Sequence, residues 1–153
     1  MPVSKYKDPY TIALAAILML NALLKWRFFI GLSAADDFSY GVYAFTMFRE
    51  PLPWDMNMDF RVLRQALLVP AAILFLIIPP TTTTAVLYPL AVSFGTVYLV
   101  YLIGKKLYGI HAGLFAAFVI ATFPGDVVFG SMLLPDIVAP FYMSLAVFAF
   151  LKA

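Results

Sequence analysis

Apolar residues in this chain occur in long blocks and not in short alternating runs. Four blocks reach or approach the length of a membrane-crossing helix, and they cover residues 10–30, 83–104, 112–124 and 137–151. A helix needs about 20 apolar residues to cross a hydrocarbon core of about 30 Å. The pattern therefore predicts an all-α membrane protein with four transmembrane helices, built as a single module over residues 1–153.

A fifth apolar block, Ala66 to Ile78, is too short to cross. Its 13 residues include Pro70 and would span about 20 Å as a helix. The charges favour the opposite interpretation, since cytoplasmic loops collect Lys and Arg. Four spans with an inner N-terminus divide the 10 Lys and Arg residues equally, whereas five spans with an outer N-terminus leave eight inside and two outside. Length therefore favours four spans, and charge favours five.

The segment between the first two spans, predicted as an outer loop over residues 31–82, contains the densest polar groups. Apolar residues recur at helical spacing behind Asp36-Asp37, which predicts an amphipathic helix on the membrane surface. Residues 50–59 are predicted as a proline-bearing loop, and residues 81–84 as a loop that caps the next span. The apolar positions of the surface helix are Phe38, Val42, Phe45 and Phe48.

Composition supports the membrane assignment. Hydrophobic residues make up 64% of the chain and charged residues 12%, with a mean hydropathy of +0.96. A soluble or disordered chain has far fewer apolar residues. The net charge of +2 is small and dispersed, so no basic stripe for nucleic acid is present. The absence of Cys and the single His111 exclude thiolate chemistry and His-rich metal sites.

The carboxylates form one set of candidate catalytic groups. Asp36 and Asp37 follow the outer end of the first span, and Asp136 precedes the last span. In a four-span topology all three lie on the same side of the membrane. They are consistent either with helix capping or with a general base and oxygen ligands for a divalent cation. The residues alone leave both interpretations open.

Arg61 and Arg64 form a second candidate set, one helical turn apart ahead of the short apolar block. Interfacial anchoring explains them, and so does an anion clamp, since a guanidinium offers paired donors to phosphate oxygens. A transporter is less favoured, because no predicted span has a charge near its middle.

The order of these features resembles a known family. The resemblance is carried by D-D-F-S-Y at 36–40, R-Q-A-L-L-V-P at 64–70, the run at 88–109 that ends in G-K-K-L-Y-G, the run at 112–124 and L-L-P-D at 133–136. Nearly the whole chain resembles the N-terminal portion of the dolichyl-phosphate-mannose protein mannosyltransferase family, within the type C polytopic glycosyltransferases. Members of that family have two to four times as many spans, so the chain is expected to be a fragment or half of an enzyme.

The resemblance implies roles for particular residues. Asp36 and Asp37, with Asp in place of the family's Glu at the second position, are implied as the catalytic acidic pair, and Asp136 as the acidic residue of the second outer loop. Tyr40 and Arg64 are implied to bind substrate, and Arg61 is added as a weaker phosphate contact. The block at 66–78 is implied to be a juxtamembrane helix, which supports four spans.

The implied reaction is transfer of a sugar from a polyprenyl-phosphate donor to an acceptor hydroxyl on the extracytoplasmic side. No cofactor is expected, although Mg²⁺ or Mn²⁺ between the carboxylates is compatible with the resemblance. The expected location is the cell membrane, as a multi-pass protein, if the source is prokaryotic. Expected partners are the lipid-linked donor, membrane lipid and a second polypeptide that supplies the remaining spans. The alternative is a small non-catalytic subunit that packs against a larger partner.

Overall fold

The computed structural model describes residues 9–33, 36–49 and 60–153, and the regular structure in these ranges is helical. The predicted loop at residues 50–59 lies outside the described residues. A 3₁₀ turn at Phe60–Leu63 precedes α3. The α-helices are α1 Pro9–Arg27, α2 Asp36–Thr46, α3 Gln65–Ile77, α4 Thr82–Tyr108, α5 Ile110–Thr122, α6 Pro124–Phe129 and α7 Pro135–Lys152.

Three of these helices are long and apolar enough to cross a membrane. They are α1 with 19 residues, α4 with 27 and α7 with 18. The prediction of an all-helical protein with apolar membrane-length helices is confirmed at this level, but the fourth span is not confirmed. Its helix, α5, has only 13 residues and would cover about 20 Å.

Local sequence explains why α5 is short. Gly109 precedes it with φ +92°, a backbone conformation that favours glycine, and so separates it from α4. At the other end Phe123 is extended and is followed by Pro124, and a residue before proline is disfavoured in the helical region. The chain then resumes as the short helix α6.

The cap predicted at the threonine cluster is confirmed. Thr81 is the N-cap of α4, and its side-chain oxygen accepts a hydrogen bond of 3.1 Å from the backbone N–H of Thr84. The Thr84 hydroxyl in turn donates to the carbonyl of Pro79 at 2.8 Å. The first of these bonds satisfies a backbone N–H that the start of a helix leaves unpaired.

Helix α4 joins two hydrophobic cores. One core packs α4 against α2, α3 and α7, and the other packs α4 against α1 and α5. The first core includes the buried residues Tyr40, Ala44, Leu67, Leu68, Ala71, Val92, Leu133 and Val138. The second includes Val97, Tyr101, Ala117 and Ala121.

Helix α2 confirms the predicted helical register but has apolar residues on both faces. Tyr40 and Ala44 are buried in the first core, whereas the four positions named from the sequence are exposed. Those exposed positions are Phe38, Val42 and Phe45 in α2, and Phe48 two residues after its end. The exposed stripe is available to an apolar environment outside the protein.

Helices α4 and α5 approach each other through two glycines. A Cβ placed on Gly113 would lie 2.6 Å from the carbonyl oxygen of Tyr101 and 2.8 Å from the backbone nitrogen of Lys105. A Cβ on Gly104 would lie 2.9 Å from the Cα of Gly113. Small residues that admit such close backbone contact are characteristic of membrane helix interfaces.

Gly113→Ala should therefore destabilise the helix pair, because the α4 backbone must move to admit a methyl group. We expect the free energy of unfolding to fall by about 1–3 kcal/mol. Gly41→Ala is the matched control, since its Cβ would meet only Leu32 Cδ1 at 3.6 Å, an ordinary contact. Unfolding of the purified protein in detergent, followed by circular dichroism, measures both. Equal losses from the two variants would contradict the close-packing interpretation.

Candidate functional site

The residues predicted to carry chemistry lie in two places. The first, here called the surface cluster, contains Asp36, Asp37, Tyr40, Arg61 and Arg64 from α2, the 3₁₀ turn and the start of α3. Asp136 lies elsewhere, in the first turn of α7. A further polar cluster in the interior was not predicted.

Asp36 and Arg61 form an ion pair at the protein surface. The Arg61 Nη2 donates to Asp36 Oδ1 at 2.5 Å, and the side chains are 25% and 53% exposed respectively. Asp36 and Asp37 both lie in the first turn of α2, where the helix dipole favours negative charge. The pairing gives Arg61 a carboxylate partner within the protein, and the Asp36 side chain stays open to outside molecules.

Asp37 is fully buried and differs sharply from its neighbour. Its Oδ2 accepts a bond of 2.5 Å from the backbone N–H of Ser33, and its Oδ1 accepts one of 3.2 Å from the Ser33 hydroxyl. A buried carboxylate needs such donors, since an unpaired one is costly. Asp37 thus joins the connector after α1, here defined as residues 28–33, to the first turn of α2.

Tyr40 and Arg64 form the inner part of the surface cluster. The Arg64 guanidinium donates to the hydroxyl of the fully buried Tyr40 and lies 5.4 Å from the centre of its ring. The Arg64 carbonyl accepts the first hydrogen bonds of α3, from the N–H groups of Leu67 and Leu68. The backbone of Arg64 thus supports α3, while its side chain is held against α2.

An apolar cleft of about 400 Å³ opens beside Arg64. Its walls come from α3 and α7, and Arg64 contributes the charge. The other residues that line it are Ala66, Leu67, Pro135, Val138, Ala139, Tyr142 and Met143. A cleft of this composition can accommodate an apolar chain next to an anionic group.

Asp136 faces a different cleft, of about 320 Å³, which it lines together with Asp126 and Thr96. The neighbouring residue Pro135 lines the Arg64 cleft instead. Asp136 and Pro135 therefore line different clefts on either side of α7.

The unpredicted interior cluster is centred on an ion pair between Lys25 and Asp126. Lys25 Nζ lies 2.5 Å from Asp126 Oδ2, and the side chains are only 2% and 6% exposed. Lys25 also donates to Asn21 Oδ1 at 2.5 Å, and Asn21 Nδ2 donates to Asp126 Oδ2 at 3.0 Å. The Ser93 hydroxyl donates to Asp126 Oδ1 at 2.5 Å. We call these four residues the interior cluster.

The interior cluster joins four helices. Asn21 and Lys25 belong to α1, Ser93 to α4 and Asp126 to α6, and Asn21 also donates to the carbonyl of Ala121 in α5 at 2.7 Å. Lys25 lies 5.2 Å from the ring centre of Phe94, which adds a cation–π contact. Both carboxylate oxygens and the ammonium group thus have partners.

One signal in the sequence could have revealed this cluster. Asn21 and Lys25 are four residues apart, so a helix places them on one face of an otherwise apolar segment. Ionisable groups in such segments almost always face the protein interior and have a partner. The partner itself, Asp126, is 101 residues away in the chain and no spacing rule identifies it.

A metal site gains no support from the described side chains. In residues 9–33, 36–49 and 60–153, no group of three or more His, Asp or Glu side chains is placed to hold a metal ion. Asp36 and Asp37 bind different partners, Arg61 and Ser33. The expectation of a cofactor-free reaction stays a prediction.

Comparisons with protein-family models, with curated proteins and with solved structures gave no match to this chain. The mannosyltransferase resemblance therefore stays a prediction that rests on the motifs quoted above.

Lys25→Met should destabilise the protein strongly, because it leaves the Asp126 carboxylate buried without its cation. Removing one partner of a buried pair typically costs about 3–5 kcal/mol of unfolding free energy. Lys152→Met, at an exposed lysine in α7, is the control and should change stability by less than about 0.5 kcal/mol. Unfolding in detergent measures both.

The double variant Lys25→Met with Asp126→Leu extends the same test. Replacing both members of a buried pair by apolar residues is often neutral, so most of the lost stability should return. A loss for Lys25→Met no larger than that for Lys152→Met would contradict the role of the pair.

Proposed function

We propose that this chain forms part of a membrane glycosyltransferase that moves a sugar from a polyprenyl-phosphate donor to an acceptor hydroxyl on the extracytoplasmic side. The observation that supports the proposal most strongly is the surface cluster. It combines an exposed carboxylate, Asp36, with a guanidinium, Arg64, that borders an apolar cleft. These are the groups needed by a reaction between a hydroxyl and a lipid phosphate ester.

The proposed step is a single displacement. Asp36 takes the proton of the acceptor hydroxyl as the oxygen attacks the anomeric carbon of the sugar. The bond between that carbon and the phosphate oxygen breaks, and the polyprenyl phosphate leaves with the electron pair. The Arg64 guanidinium stabilises the charge that develops on the phosphate.

The other predicted residues take more indirect roles in this proposal. Arg61 holds the Asp36 carboxylate, with which it forms a 2.5 Å ion pair, instead of binding phosphate itself. Tyr40 holds the Arg64 side chain. Asp37 fixes the start of α2 through Ser33. Asp136 lines a separate cleft, so it takes no part in this proposed step.

We further propose a four-span topology with the N-terminus in the cytoplasm. In this arrangement α1, α4 and α7 cross, and the fourth crossing is an interrupted segment made of α5 and α6. Residues 110–129 would cover about 30 Å if aligned along one axis. Broken helices at membrane depth are tolerated where protein packs around them. Helix α2 then lies at the outer interface with its exposed stripe in the lipid.

The alternative function is a non-catalytic membrane subunit. The observation that favours it is the exposure of α7, most of whose residues are not buried in the protein. Phe150 and Met143 are 82% and 69% exposed. In a subunit this face packs against the larger partner, whereas in an enzyme fragment lipid or the remaining spans cover it. Binding of a lipid phosphate does distinguish them.

Arg64→Gln should weaken binding of a polyprenyl phosphate. The probe is undecaprenyl phosphate presented to the purified chain in lipid nanodiscs, with undecaprenol as the ligand that lacks phosphate. Loss of a charge-assisted hydrogen bond is worth about 1.5–3 kcal/mol, or roughly 10- to 150-fold in Kd. Arg27→Gln, at an exposed arginine of α1, is the matched control and should bind normally. Equal binding of the phosphate and the alcohol would favour the subunit alternative.

Asp36→Asn should abolish most transfer while leaving donor binding intact. The amide keeps the shape of the side chain but cannot accept the proton, so the rate should fall by roughly 10²- to 10⁴-fold. The measurement is transfer of radiolabelled sugar in membranes that contain the chain and its native partners. Ser39→Ala, in the same helix, should stay within a few-fold of the parent protein. Activity of Asp36→Asn near the parent rate would show that Asp36 is only a helix-terminus residue.

A further inference from the structure

We infer that the buried Lys25–Asp126 pair positions helix α2 on the protein body, through a continuous series of bonds that ends at Asp37. The inference deepens the proposed function, because α2 carries Asp36. Its test measures how α2 is seated and not sugar transfer, so the two can fail separately.

The first link is between the ion pair and α6. Asp126 lies in the first turn of this six-residue helix, and its carboxylate is bound by Lys25, Asn21 and Ser93. A Cβ on Gly130, directly after α6, would overlap the Cε of Lys25. The lysine stem therefore runs against the end of α6 and fixes the helix at both ends.

The second link joins the end of α6 to the connector after α1. The Ser131 hydroxyl accepts a bond of 3.1 Å from the Ile30 N–H, and the Ser131 carbonyl accepts one of 3.0 Å from the Gly31 N–H. Ser131 is fully buried. Gly31 has φ +74°, and a Cβ there would overlap the Thr82 side chain, so this connector also lies against the start of α4.

The third link joins the connector to α2. Ser33, two residues after Gly31, donates both its N–H and its hydroxyl to the buried carboxylate of Asp37. Tyr40 and Ala44 then seat the helix in the first core, where they are 0% and 1% exposed. The position of α2 thus depends on hydrogen bonds at its start and on apolar packing along its length.

Directional bonds explain why an ion pair serves this purpose better than apolar side chains. Apolar packing tolerates small shifts, whereas the Asp126 carboxylate accepts three donors from two different helices and so allows one arrangement. Asp126→Asn keeps the shape but removes the charge that Lys25 requires. The expected effect is a loosened connector and a less firmly seated α2.

The absence of native cysteine allows a direct test with single thiols. Ala44→Cys places a thiol under α2, and Ala117→Cys places one between α4 and α5 as a reporter of general unfolding. Alkylation by N-ethylmaleimide is measured on the purified protein in detergent. With Asp126→Asn, the thiol at position 44 should react at least about tenfold faster, because local opening becomes easier. The thiol at position 117 should accelerate much less, since it reports only the general loss of stability that an unpaired Lys25 causes.

Two further variants separate positioning from general stabilisation. Thr122→Val removes a hydroxyl that binds only its own helix, at the carbonyls of Phe118 and Val119, and should leave both rates unchanged. Lys25→Met with Asp126→Leu should recover stability yet leave position 44 reactive, because apolar contacts do not fix the connector.

Three results would overturn the inference. They are equal acceleration at positions 44 and 117, no acceleration at either position, and full protection of position 44 in the double variant. If Arg64→Gln binds undecaprenyl phosphate normally while position 44 behaves as expected, the proposed function fails and the positioning role of the pair stands.

Discussion

Removing an ammonium and a carboxylate from water costs several kcal/mol for each ion, and only mutual pairing with complete hydrogen bonding offsets that cost. Lys25 and Asp126 meet this requirement with help from Asn21 and Ser93. The requirement has structural consequences, because the carboxylate accepts its donors only when α1, α4 and α6 are correctly placed. The arrangement of these helices is therefore coupled to the pairing of two charges.

The two hydrophobic cores meet along helix α4. The N-terminal half of this helix carries Ser93, and its C-terminal half carries Gly104. Close contact of Gly104 and Gly113 brings α5 against α4, which places Ala121 within reach of Asn21. The polar bonds select one register among the many that apolar packing alone would allow.

The surface cluster shows how tertiary contacts divide adjacent residues of the same type. Asp36 and Asp37 are equivalent by sequence, yet one is exposed beside Arg61 and the other is fully buried beneath Ser33. A helix places consecutive residues about 100° apart, so one side chain faces outward and the other faces the body. Arg61 and Arg64 also take different partners, Asp36 and Tyr40.

The sequence by itself determined the helical class, the register of α2, the cap at Thr81 and the shortness of the α3 block. Each of these depends on local composition, on helical periodicity or on the number of consecutive apolar residues, which a chain carries without reference to its partners. The fourth span at 112–124 is not confirmed, although Gly109 and Pro124, which bound α5, are local signals that the sequence itself contains. Only the tertiary structure decided that Lys25 pairs with Asp126, that Asp37 is buried, and that Asp136 faces a different cleft from Arg64. These outcomes depend on which helix faces pack together, and the helices concerned are far apart in the chain. Pairing between such distant side chains follows from the packing of whole helices. It therefore produces no periodic pattern in the sequence.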